Sequence, residues 1–138
     1  IRMTRFNISV EQSVEMALWA LKNNLGGEIF VPKISFFKIV DLARAINSKA
    51  KLKIIGIRPG EKIHEELISE HDGMKTLDLG KYYAILNNFN SKQIDNYIKK
   101  KKGTKMKRNF SYNSFNNKNY LSISDLKLEI KKYKSFNK

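Results

Sequence analysis

Cysteine is absent from the 138 residues, proline and histidine occur twice each, and tryptophan once. Without a thiol there is no disulfide, no thiolate metal site and no cysteine nucleophile. Two histidines alone are poor material for a structural metal centre. Long apolar runs are missing as well: none approaches the roughly 18 residues of a membrane-spanning helix. No stretch reads as a secretory signal, so a cytoplasmic location is expected. Acidic residues are scarce, 13 against 27 basic ones, for a formal net charge of +14. The apolar share of 41% keeps the chain in the globular range. The chain opens on Ile1 rather than Met, a few residues before the first helix signal, and reads as a piece of something longer.

The charge is unevenly distributed. Residues 1–86 carry 13 basic and 10 acidic side chains, net +3, whereas residues 87–138 carry 14 and 3, net +11. The excess centres on Lys99-Lys100-Lys101-Lys102 and continues through Lys105, Lys107 and Arg108. A solvated basic tail accounts for it; a phosphate-tracking, nucleic-acid-binding module is the alternative.

Residues 3–8 read as a short extended entry. Ser9 with Gln12 has the spacing of a capping box, and Val10, Val14, Ala17, Leu18 and Leu21 recur at helical intervals on one face. Gly26-Gly27 stop this helix, and residues 28–31 form a strand ended by Pro32. The spacing predicts a second helix over 36–47 that buries Phe36, Ile39, Val40, Ala43 and Ile46. A β-branched run predicts a strand over 53–57. Arg58-Pro59-Gly60-Glu61 is a turn, with proline preset for its second position and glycine free to take positive φ. A third helix is expected over 62–69, and strands over 76–79 and 82–86 flank a turn at Gly80. Ile94, Tyr97 and Ile98 suit one amphipathic helical turn. Residues 109–120 read as irregular, and Ser122 or Ser124 caps a last helix carrying Leu126, Ile130 and Tyr133 on one face.

Several pattern matches carry little. His64-Glu65-Glu66 lacks the second histidine of a zinc helix, since position 68 is Ile. Tyr97 and Lys101 have Tyr-x-x-x-Lys spacing inside a lysine run, where almost any tyrosine would match. No glycine-rich nucleotide turn occurs. Two arginines at element ends are more informative: Arg5 before the first helix, and Arg58 after the predicted 53–57 strand. A guanidinium matches a phosphate bidentately, so two can grip a diphosphate. Glu61 could accept hydrogen bonds from adjacent ribose hydroxyls. On spacing alone, surface or capping arginines remain the simpler account.

Four segments stand in one order: Met3-Thr4-Arg5-Phe6; Gly26-Gly27-Glu28-Ile29-Phe30-Val31-Pro32-Lys33; Lys38-Ile39-Val40-Asp41-Leu42-Ala43; and Lys53-Ile54-Ile55-Gly56-Ile57-Arg58-Pro59-Gly60-Glu61-Lys62 with His64-Glu65. Together they resemble the C-terminal part of the UDP-N-acetylglucosamine 4,6-dehydratases, extended short-chain dehydrogenase/reductase enzymes of the CapD-like polysaccharide biosynthesis family. The inverting, pseudaminic-acid-pathway subgroup is the most similar. Residues 110–114, with Asn116, Asn117 and Leu121, resemble that subgroup's C-terminal region. Asn7 departs from the pattern, in which tryptophan usually follows the Arg-Phe pair.

The resemblance implies an α/β fold: the end of a Rossmann domain and a small substrate-binding lobe, with a basic C-terminal extension. It divides the chain into 1–34 on the Rossmann side, 35–86 as substrate lobe, 87–108 as basic linker, and 109–138 as an irregular segment and helix. By the same resemblance Arg5 and Arg58 contact the UDP diphosphate, Glu61 contacts the ribose, and Met3, Thr4 and Phe6 shape the pocket. His64 matches a motif position and is read as a packing or surface residue ahead of a ligand contact. The implied activity is that of a C5-epimerising lyase acting on UDP-N-acetylglucosamine, with a UDP-sugar 4-epimerase as alternative. Its NADP (or NAD) and its catalytic residues belong to an N-terminal portion outside this chain, so residues 1–138 are expected to be inactive alone. The expected partners are a UDP-sugar and further copies of the full-length enzyme, without nucleic acid or membrane. The apolar face of the first helix is expected to pack on the Rossmann sheet, and to leave the chain marginally stable or associating when that sheet is missing.

Overall fold

The computed structural model describes residues 2–86 and 88–136. In chain order the elements begin with β1 (Thr4–Asn7), α1 (Val10–Asn23), β2 (Ile29–Pro32), β3 (Ser35–Lys38) and α2 (Ile39–Ile46). There follow β4 (Glu66–Ile68), α3 (Glu70–Gly73), β5 (Thr76–Asp78) and β6 (Tyr82–Ile85). The chain continues with α4 (Ser91–Lys101), β7 (Thr104–Lys105), β8 (Tyr112–Asn113) and α5 (Ile123–Phe136). The fold is mixed α/β, as expected. Two compact units divide it, each assembled from separated stretches: Ile1–Asn7, Ile34–Glu65 and Ser114–Lys138 in the first, Ile8–Lys33 and Glu66–Asn113 in the second.

In the first unit β1 and β3 pair antiparallel, with Arg5 opposite Phe37 and Phe6 opposite Phe36. The other edge of β3 is also used. Phe36 donates its N–H to the Asn119 carbonyl at 2.8 Å and accepts from the Leu121 N–H at 2.8 Å, which makes a parallel bridge at Tyr120. The chain passes from β3 into α2 without a loop. Lys38 at the N-cap has no capping side chain, so the Ile39 N–H is satisfied instead by the Met3 carbonyl at 3.1 Å. α5 packs on α2 through Phe37, Ala45 and Leu126, with Leu42, Leu121, Ile123 and Ile130 around them. Ser122 opens α5: its Oγ accepts from the Asp125 N–H at 3.3 Å, and the Asp125 carboxylate accepts from the Ser122 N–H at 2.9 Å.

The second unit holds a four-stranded antiparallel sheet in the order β2-β6-β5-β7 and a β4-β8 pair. Its core is Leu77, Ala84, Leu86 and Tyr97, ringed by Phe30, Leu79, Phe89, Ile94 and Ile98. Tyr97 is the buried residue of α4, and Asn90 with Gln93 forms a capping box at that helix's start. The tyrosine hydroxyl donates to Glu28 Oε1 at 3.3 Å, and burial beside this carboxylate pushes the phenol well above its ordinary range. The Ser9–Gln12 capping box of α1 is formed as expected. Trp19 fastens α1, its ring edge-on to Phe30 at 5.1 Å and tilted against Tyr82 at 4.5 Å.

Three expected elements differ. The helix expected over 36–47 begins only at Ile39, because Phe36 and Phe37 are drawn into pairing with β1 and residue 120. Its buried side is Asp41 and Ala45, while Ile46 is exposed. Residues 53–57 form no strand: among the described residues no strand pairs with them, and Ile54, Ile55 and Ile57 are exposed. The third expected helix, over 62–69, is replaced by a bend and by β4, because Glu66 and Ile68 pair with β8. Residues 109–120, read as irregular, contain β8, and α3 occupies the expected break at 71–73. Tyr133 is exposed rather than part of the packed face of α5.

Candidate functional site

An open groove of about 1200 Å³ lies in the first unit. One wall is the outer face of α2, where Ile39, Val40 and Ala43 sit, and the other is the irregular segment from Lys51 to Gly56. Three residues of the apolar stripe that the sequence marks, Ile39, Val40 and Ala43, therefore line the groove rather than the core. Arg2, Lys38, Arg44, Lys51, Lys53 and Arg58 give the lining a cationic character, against Asp41 and Glu61. Such a balance concentrates anions.

Arg58 and Glu61 flank the turn expected at this position. The Glu61 N–H donates to the Arg58 carbonyl at 3.0 Å, and Gly60 has φ +79°, a value that glycine adopts without strain. One Glu61 carboxylate oxygen accepts from the Arg58 N–H at 3.1 Å. The Arg58 side chain is exposed and has no hydrogen bond or ion pair among the described residues. Its five donors remain available to a ligand.

Met3 and Thr4 also line the groove. Arg5 and Phe6, one and two positions further along β1, do not. The Arg5 Nη1 donates to the carbonyls of Thr4 at 2.7 Å and Ile63 at 3.3 Å, and its Nε lies 3.3 Å from Glu65 Oε1. Thus the structure brings Arg58, Glu61, Met3 and Thr4 to one groove, while Arg5 braces β1 against the segment that leads from the turn. Phe6 lies opposite Phe36 in the β1–β3 pair.

Thr4, Ser114 and His64 form a connected polar cluster on the groove wall. Thr4 Oγ1 is 2.6 Å from Ser114 Oγ and 2.7 Å from His64 Nδ1, and Ser114 Oγ accepts from the Glu65 N–H at 2.9 Å. The His64 ring lies against Phe115, with centroids 4.9 Å apart. Asp41, nearly buried in α2, accepts a hydrogen bond from the Tyr120 hydroxyl and has Arg44 at 3.9 Å. That hydrogen bond, with burial, pushes the Tyr120 phenol up to about 12. Sequence reasoning gave no site role to Ser114, Lys38, Lys51 or Lys53, although all but Lys51 stand within the segments that carry the resemblance. Lys38 and Ser114 reach the groove through pairings with distant residues, and Lys51 and Lys53 through an irregular segment without a period to read. No group of three or more acidic or histidine side chains suited to a metal occurs among the described residues.

Residues 1–87 match the polysaccharide biosynthesis protein family. The chain is 45% identical over 133 residues to UDP-N-acetylglucosamine 4,6-dehydratase (inverting) of Campylobacter jejuni, covering 94% of this chain and 40% of that protein. It is 44% identical over 87 residues to UDP-glucose 4-epimerase of Rickettsia canadensis, covering 60% of this chain and 26% of that protein. Among solved structures, Pen from Bacillus thuringiensis superposes with a TM-score of 0.75 at 25% identity, over 96% of this chain and 40% of that one. The chain thus spans about 40% of the length of the dehydratase it matches.

Proposed function

Because the chain belongs to the polysaccharide biosynthesis protein family, we propose that its groove holds the UDP part of a nucleotide sugar, as part of a 4,6-dehydratase. The observation that carries this reading is the exposed Arg58 guanidinium, carried by a Pro-Gly turn on the rim of a cationic groove and uncommitted to any protein group among the described residues. Arg58 offers its fork to the diphosphate, and Glu61 offers carboxylate oxygens to the ribose hydroxyls. One Glu61 oxygen already accepts from the turn's own backbone, which holds the carboxylate in place. Met3 and Thr4 contribute wall, and Phe6 supports it from β1. For Arg5 to reach a phosphate it must exchange Glu65 for it.

A nicotinamide dinucleotide, which the family implies, does not fit the described residues. Its pyrophosphate calls for a glycine-rich turn between a strand and a helix N-terminus. Here β1 enters α1 through Ile8 and Ser9, whose side chain already occupies the helix start, and β3 enters α2 directly.

Calorimetric titration of UDP into the protein tests the reading. Arg58→Ala should lose about 1.5–3 kcal/mol of binding, the worth of a charge-assisted hydrogen-bonding pair. Unchanged UDP affinity in that variant removes Arg58 from the site. The epimerase reading shares the groove and differs in product: NMR of the sugar converted by the full-length enzyme should show either loss of water or retention of all hydroxyls.

A further inference from the structure

Hydrogen-bond accounting in the Thr4–Ser114–His64 cluster fixes the direction of its protons. Ser114 is fully buried, and its Oγ already accepts from the Glu65 N–H at 2.9 Å. Among the described residues its own proton has one acceptor within reach, Thr4 Oγ1 at 2.6 Å. Thr4, itself buried, must then send its proton onward, and the next acceptor is His64 Nδ1 at 2.7 Å. The reverse direction, starting from an N–H at Nδ1, ends with the Ser114 hydroxyl proton buried and without an acceptor, an arrangement native structures avoid. The relay therefore runs from the Glu65 N–H through Ser114 and Thr4 to Nδ1, and the neutral imidazole carries its proton on Nε2.

His64 lines the groove, and no described residue takes a hydrogen bond from its Nε2. We infer that His64 is a ligand-positioning residue that donates its Nε2–H to an acceptor oxygen of the molecule in the groove. This rests on the nucleotide reading and adds a specificity to it. A donor fixed in this tautomer selects a carbonyl or phosphoryl oxygen as its acceptor and discriminates against a hydroxyl that must itself donate. It is also unsuited to remove a proton as a base through Nε2. Thr4 and Ser114 act through the histidine, by holding its tautomer and ring.

The test combines nitrogen NMR of the histidine ring with calorimetric binding of three probes: UDP, uridine and inorganic pyrophosphate. In the wild-type protein the His64 proton should reside on Nε2, and Thr4→Val should abolish that bias. His64→Phe should weaken UDP by about tenfold, one hydrogen bond's worth. His64→Gln, whose amide N–H stands near the position of Nε2, should recover most of the loss. A loss shared by uridine assigns the acceptor to the base, and one shared by pyrophosphate assigns it to the phosphates. A proton found on Nδ1, or full UDP affinity in His64→Phe while Arg58→Ala is impaired, overturns this inference and leaves the nucleotide reading standing. A wild-type protein that binds no UDP overturns both.

Discussion

The Tyr120–Asp41 hydrogen bond shows how one contact makes a titration visible. Asp41 is nearly buried at the first turn of α2, where the helix N-terminus favours a negative charge, and Tyr120 supplies its close donor. The phenol is raised to about 12 because ionising it would replace a donor with a second anion beside the carboxylate. With a folded value above the unfolded value of about 10, the contribution is complete below pH 10 and is lost as pH rises toward 12. Thermal melts between pH 9 and 12 should show a steeper decline for the wild type than for Tyr120→Phe, and equal slopes would contradict the assignment. Other motif residues also have local duties. Glu28 Oε1 accepts from the Leu25 N–H at 2.6 Å and so ties down the Gly26-Gly27 loop. Lys33 pairs with Asp78 at 2.6 Å and lies over the Tyr83 ring at 4.5 Å. These positions brace the second unit, while Arg58 and His64 face the groove of the first.

Among the elements, legibility followed the range of the interactions that decide each one. The capping box of α1 joins residues three apart, and the Arg58–Glu61 turn closes over four residues, so composition and spacing reveal them. The strand at Phe36 and Phe37 is decided by pairing with residues 5, 6 and 120, and the helical period of the following residues hides it. β4 likewise owes its conformation to β8, more than 40 residues away. α3 rests against the chain entering β8 so closely that a β-carbon on Gly73 would overlap the Phe110 carbonyl. Gly73→Ala should therefore destabilise the protein by about 1–3 kcal/mol, read by urea denaturation. An unchanged midpoint would mean that the Phe110 backbone yields at no cost.

For the whole molecule, the main unbalanced feature is the outer stripe of α1. Val10, Val14, Leu18 and Leu21 are each more than half exposed, on a helix without a buried residue. Trp19 and the Lys81–Glu15 ion pair hold the opposite side. An apolar stripe of this kind drives association unless another surface covers it. Residues 1–138 should self-associate as concentration rises, and replacing Val14 and Leu18 together with lysine should return them to monomers in sedimentation equilibrium. Concentration-independent monomers in the unsubstituted chain would count against this. No helix among the described residues is long and apolar enough to cross a membrane.

The basic run that dominates the composition ends α4, where Lys99, Lys100 and Lys101 complement the negative end of the helix. Lys105 adds an ion pair with Asp95 at 3.2 Å. By itself the sequence determined the capped starts of α1 and α5, the Pro-Gly turn that carries Arg58 and Glu61, and the exclusion of thiol chemistry, because each depends on neighbouring residues or on composition. The tertiary structure alone decided that the α2 stripe lines a groove, that Arg5 is held by Glu65 and two carbonyls, and that Ser114 reaches His64 through Thr4. The last two outcomes depend on groups brought together across 49 to 110 positions of chain, where no local periodicity carries a signal.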